Sequence, residues 1–208
     1  REVLFGTPAR ATPLISPDGA RMAYLAPVED VLNVWVGTVG GDDFRPVTHD
    51  TDRGIRVHFW AHDSRHIMYL QDVGGDENWR LYSVNLENGE EADLTPYDGV
   101  QVQIIHHDKR HPSELLVGMN KEDERLHDVY HLDLNSRELE LVAKNPGNVA
   151  GWAVDAEMKV RGALASTPDG GFELLVREAP DDAWRTLVFW EADDALTSGP
   201  VSFSLDGK

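Results

Sequence analysis

The sequence contains no cysteine. That excludes disulfide frameworks, zinc–thiolate sites and thiol nucleophiles. The cytoplasm is the expected compartment, although a secreted protein whose signal has been removed would read the same way. Long apolar runs are missing too: no stretch reaches the roughly 18 apolar residues read as a membrane-spanning helix. The opening REVLFGTPAR has neither an initiator Met nor the apolar core of a signal peptide, so the chain is expected to start inside a longer one. Positive charge is scarce. Nineteen Lys and Arg face 37 Asp and Glu, a formal net charge of −18. Such a surface repels phosphate backbones and anionic lipid, so neither nucleic acid nor a membrane is an expected partner. Hydrophobic residues make up 41% of the 208 positions, enough for a sizeable core and too many for a disordered chain.

What the chain does have is a repeat. The segments LISPDGARMAYL, FWAHDSRHIMYL, IIHHDKRHPSELLV, GWAVDAEMKVRGAL and VSFSLDGK each place a large apolar residue three positions before an aspartate. The apolar residues are Ile15, Trp60, Ile105, Trp152 and Phe203. The aspartates are Asp18, Asp63, Asp108, Asp155 and Asp206, spaced 45, 45, 47 and 51 residues apart. A period in the mid-forties is that of one four-stranded propeller blade. Within each unit, β-branched and aromatic runs alternate with Gly, Asn, Asp and Pro clusters, which favours strands over helices. ENGE at 87–90 predicts a type I′ hairpin, and 191–199 alone reads as a helical turn.

The expected fold is therefore all-β: a β-propeller of four-stranded antiparallel blades. The units run over about 12–48, 57–95, 102–144 and 150–190, with the opening of a fifth at 201–208. A β-sandwich is also all-β but does not require this self-similarity. The end at SLDGK falls inside the repeated turn, so the propeller reads as a truncated piece. Open blade edges would make self-association a liability.

The aspartates need no catalytic role. Asp opening a turn bonds to nearby backbone, and in SPDG proline presets φ while glycine accepts positive φ. The apolar residue before each is expected on an inner strand, packed between blades. His58, His62 and His66 would share a face on a helix, but strand–turn–strand scatters them as separate surface or turn residues. HHDKRH at 106–111 also falls in a turn. No metal and no cofactor is expected. VGGDD and VGGDEN match no phosphate-binding glycine motif, and their carboxylates would repel phosphate.

LISPDGARMAYL, YLQDVGGDENWRLYSVNLENGEEADLTPYDGV, KEDERLHDVYHLDLNSRELELVAKNPGNV and SGPVSFSLDGK together resemble the β-propeller of the prolyl oligopeptidase family of serine peptidases. The bacterial dipeptidyl aminopeptidase and acylaminoacyl peptidase branch is the most similar. SPDG alone is shared with TolB-type propellers, so a stand-alone binding propeller is the alternative. The resemblance implies a partner, the α/β-hydrolase catalytic domain of the same parent chain. It also implies a propeller that restricts entry to short peptides. No catalytic residue carries over: none of the nine serines lies in G-x-S-x-G. The acidic helix that holds a substrate's amino terminus in dipeptidyl peptidases is missing as such, which puts aminodipeptidase specificity in doubt.

One further pattern recurs. The loops VEDVLN, GGDENW, KEDERL and TPDGGF align at Asp30, Asp76, Asp123 and Asp169, so GGDEN is one version of a repeated acidic hairpin. Asp76, Glu77 and Asn78 are the candidates for touching a substrate's amino terminus or the missing domain.

Overall fold

The computed structural model describes residues 6–195, 197–200 and 202–204. They form four antiparallel sheets of four strands, each running up and down in chain order. The first sheet holds β1 (Ala11–Ile15), β2 (Arg21–Val28), β3 (Val31–Thr38) and β4 (Arg45–Pro46). The second holds β5 (Val57–Trp60), β6 (His66–Gln71), β7 (Arg80–Asn85) and β8 (Glu90–Asp93). The third holds β9 (Val102–His106), β10 (Glu114–Asp123), β11 (Leu126–Asp133) and β12 (Leu139–Ala143). The fourth holds β13 (Val149–Val154), β14 (Val160–Ser166), β15 (Phe172–Val176) and β16 (Arg185–Trp190). The chain divides into two compact units, Arg1–Val102 and Gln103–Lys208.

In the first unit the core lies between the two sheets. Ala23, Leu25, Val34 and Val36 meet Ile55, Trp60, Ile67, Tyr69 and Val84. Alternate residues of a strand point to one face, so the unbroken run of four buried residues in β2 and in β6 marks strands covered on both faces. Trp60 is 5% exposed. Its indole N–H donates to the Leu14 carbonyl at 3.1 Å, and the Arg21 guanidinium lies 5.7 Å from its ring. The last strands are short for a reason. Pro46 has no N–H to donate, so β4 stops at two residues. Beyond β4 and β8, the buried hydroxyls of Thr48 and Thr95 accept the N–H groups of Val34 and Leu81, both at 2.9 Å. Side chains thus replace ladder bonds where the strands end.

In the second unit Leu116, Val129, Ala143, Met158 and Val160 form the core, flanked by Trp152 and Trp184. Trp152 donates its indole N–H to the His127 carbonyl at 3.3 Å. Phe203, the aromatic of the fifth repeat, lies under the Arg161 guanidinium at 5.2 Å. Gly162 leaves room there: a Cβ on it would sit 2.7 Å from the Ala153 Cβ and 3.6 Å from the Phe203 ring. Position 201 and residues 205–208 of that fifth opening, Asp206 among them, lie outside the described residues.

Two sequence expectations are corrected. Ile15 does not pack inside; it is 63% exposed. The slot is filled in Trp60 because the first sheet stands against it, and no sheet covers β1 on that side within the first unit. ENGE does not make a type I′ turn, which needs positive φ at both central residues. Here Asn85 pairs with Glu90 across a four-residue loop, and Gly89 alone is left-handed at φ +73°. Asn85 and Asn88 spend their side-chain oxygens on the N–H groups of Glu87 and Glu90, holding the longer loop. Over 191–199, Ala195 and Ser198 donate to the carbonyls of Glu191 and Asp194, which is a helical turn.

Candidate functional site

The hairpins that join the second strand of each sheet to the third carry Asp30, Asp76, Asp123 and Asp169, and they differ in build. Between β2 and β3 the loop is just Glu29 and Asp30, both left-handed at φ +49° and +69°. Between β10 and β11, Asp123 accepts the N–H, Nε and Nη2 of its neighbour Arg125, which holds its pKa down at about 2. Asp169 accepts the Thr167 hydroxyl at 2.6 Å. The longest loop is the one between β6 and β7, residues 72–79.

That loop is built around Asp76. Its Oδ1 accepts the N–H groups of Val73 and Asn78 at 3.2 and 3.1 Å, and its Oδ2 accepts the Asn78 amide at 3.2 Å. Desolvation pushes the Asp76 carboxyl up, but the bonds from Asn78 and Val73 outweigh it and the pKa is lowered. Gly75 is left-handed at φ +85°, and a Cβ there would meet the Arg53 guanidinium at 3.2 Å. Arg53 in turn lies 3.4 Å from the buried carboxylate of Asp72. Glu77 is left-handed at φ +60°, and its carbonyl accepts the Gln101 amide at 3.4 Å. Of the three candidates, then, Asp76 and Asn78 are bonded to each other, while Glu77 lends its backbone and keeps an exposed carboxylate. Arg53 and Gln101, which buttress the loop from outside it, carry no signal in the repeat pattern.

The repeated turns use their aspartates as caps. Asp18 accepts the Ser16 hydroxyl and the Ala20 N–H, and its pKa is lowered by them in that order. Asp63 accepts the N–H groups of Arg65 and His66 through Oδ1 and meets His66 Nδ1 at 2.6 Å through Oδ2. Burial pushes Asp63 up, and these bonds bring it below its ordinary value. Asp108 is held low by the side chain and N–H of Arg110. Asp155 accepts the N–H groups of Glu157 and Lys159 and lies 3.3 Å from Arg161.

His62 lies partly exposed in the turn, as expected, but His58 and His66 are not surface residues, which corrects the sequence reading for those two. His58 and His66 are both buried, because strands β5 and β6 lie in the inter-sheet core of the first unit. Burial lowers the His58 pKa to about 4, against a bond to the Ala23 backbone, and its Nε2 finds no partner. Among the described residues no group of three or more His, Asp or Glu is placed to hold a metal ion.

No family model matches the sequence. Dipeptidyl aminopeptidase BIII of Pseudoxanthomonas mexicana is 42% identical over 209 aligned residues, covering all of this chain and 30% of that protein. The matched part is its N-terminal region. The structure of a prolyl endopeptidase superposes with a TM-score of 0.63 at 14% identity, covering 85% of this chain and 28% of the other. The β-propeller domain of the Trilobed protease from Pyrococcus furiosus does so at 0.56 and 16%, covering 86% and 56%. This chain has a β-propeller fold and is similar along its whole length to part of a dipeptidyl aminopeptidase. The chain spans about 30% of the length of that curated relative. Its four sheets are propeller blades, and the acidic hairpins lie at corresponding positions in each blade.

Proposed function

We propose that this chain is the non-catalytic, substrate-gating propeller portion of a cytoplasmic serine peptidase that hydrolyses short peptides. The observation that carries the reading is the 42% identity along the whole chain to the N-terminal region of a dipeptidyl aminopeptidase. The chemistry belongs to a partner, an α/β-hydrolase domain of the same parent chain. There a Ser hydroxyl activated by His forms an acyl-enzyme on the peptide, and water releases it. The propeller contributes steric selection: a folded protein cannot follow a short peptide past it. The exposed Glu77 carboxylate is the group available to a peptide's ammonium or to the hydrolase domain. Self-association through an open sheet edge belongs to the same reading.

The test is to measure turnover of chromogenic dipeptide substrates by the natural full-length protein and by the 208-residue chain alone. Hydrolysis by the first and none by the second is expected. Activity in the isolated chain that survives further purification overturns the division of labour. A reading frame that ends without G-x-S-x-G and later Asp and His leaves instead a stand-alone, TolB-like binding propeller. In the full-length protein, Glu77→Ala is expected to raise KM with little change in kcat. Unchanged kinetics would retire Glu77 as a substrate contact.

A further inference from the structure

The last strand of each sheet is an edge, with a row of backbone N–H and C=O groups open to pairing. Three of the four carry the features that keep such edges apart. β4 is two residues long and ends in Pro46. β8 reads EEAD, so a second β8 would meet it charge against like charge. β12 has Glu140 as its second residue and Glu138 just before it. β16 has none of these. It reads RTLVFW, six residues with Thr, Val and aromatics and no charge inside. Arg185 to Phe189 are all exposed, with Leu187 at 53%, Val188 at 39% and Phe189 at 48%. Its one guard is a bulge at Leu187, since Leu174 pairs with Val188 but Leu175 with Thr186.

The exposure is not all one face awaiting a following blade. Leu187 shares an apolar groove with Leu174, Val176 and Phe203, on the side the fifth repeat enters. Phe189 pairs with Glu173, on the opposite face from Leu174 and Val188. A following blade covers the first side only, and it leaves both Phe189 and the strand edge open.

The charges name the occupant. Two β16 strands laid antiparallel about Val188 put Arg185 of each copy opposite Glu191 of the other. Between those two pairs, only Thr186 to Trp190 face one another. An acidic protein with 37 Asp and Glu offers few edges that present an Arg at one end, an acid at the other and none between. We propose that β16 is a self-pairing edge, joining two copies of this protein through an antiparallel β16–β16 ladder. This sharpens the self-association part of the reading above and is independent of its peptidase part. A monomeric protein with peptidase activity would sink one and leave the other.

Sedimentation equilibrium of the natural full-length protein tests it. A concentration-dependent dimer is expected. Arg185→Glu alone and Glu191→Arg alone each place like charges opposite in both symmetric pairs, and each should weaken the dimer about tenfold. The double variant, Arg185→Glu with Glu191→Arg, restores opposite charges and should return the dissociation constant to within about twofold of wild type. Both positions are exposed, so circular dichroism should be unchanged in all three. A monomer at every concentration overturns the proposal, as do single variants without effect or a double variant that fails to restore. Ile15→Lys, at the exposed position on β1, should leave the dimer intact; dissociation by that change would assign the contact to sheet faces instead.

Discussion

Asp18 and Asp63 occupy the same slot of the repeat, 45 residues apart, and open the same kind of turn. Their surroundings differ. Asp18 is exposed, with its own Ser16 and Ala20 for partners. The Asp63 side chain is nearly fully buried, because its turn is pressed against the sheet before it. Ser64, left-handed at φ +59° where the first turn has Gly19, accepts the Asp18 N–H through its hydroxyl and Arg21 through its carbonyl. The second unit repeats the contrast: Asp108 is partly exposed, and Asp155 is buried. The repeat thus determines the turn locally. The neighbouring sheet determines what the turn contributes to stability.

The widest gap is expected between Trp60 and Ile15, which share the apolar slot. Trp60→Ala should cost about 3–5 kcal/mol by denaturant melting, through lost burial and the cavity left behind. Ile15→Ala should stay within about 0.5 kcal/mol. Equal losses would mean that Ile15 is covered in solution. Acid sharpens the same contrast. His58 folds at a pKa of about 4 and titrates near 6.5 when unfolded. Its neutral form is the folded form, so its contribution is complete above pH 6.5. Between pH 6.5 and 4 the unfolded chain takes up the proton first and stability falls, by roughly 3 kcal/mol in all. His106 and His127 are also lowered by burial and push the second unit the same way, but they are only half-buried. Histidine C2–H chemical shifts followed against pH should show His58 titrating last. His58→Leu should flatten the acid limb of the stability profile.

The aspartate pair comes next. Asp63→Ala removes three hydrogen bonds and strands a buried imidazole, a loss of about 2–3 kcal/mol. Asp18→Ala should cost clearly less, since water replaces its partners. The smallest effect concerns strain. Glu77→Gly relieves a left-handed backbone and should stabilise by up to about 1 kcal/mol, offset in part by the freedom glycine gains when unfolded. A thermal midpoint that drops instead would show that the Glu77 side chain holds the loop.

The architecture was legible in the sequence because each blade repeats its own punctuation: the aspartate turn, the acidic hairpin and the β-branched runs between them. Four sheets of four strands follow directly from that period. The exposure of Ile15 was not legible, because the slot looks identical whether or not a sheet stands before it. Burial of His58 and His66 was hidden for the same reason: burial belongs to the stacking of sheets, and a strand's own sequence names only its two faces. ENGE misled because Asn-Gly fits two hairpin builds, and the choice depends on where the flanking strands pair. At the candidate site, the loop and its aspartate were visible. The division of labour within it was not, since Arg53 and Gln101 reach it from distant points in the chain.

Asp76 closes its loop before anything arrives. With three bonds to one carboxylate, the segment from Val73 to Asn78 has little conformational freedom left to lose. Glu77 is therefore presented from a preorganised support. A ligand meeting it would bear the ordering cost of its own chain and almost none of the protein's. Calorimetry on such a contact should show a small entropic penalty, and its strength should respond to ionic strength more than to mutations that loosen neighbouring loops.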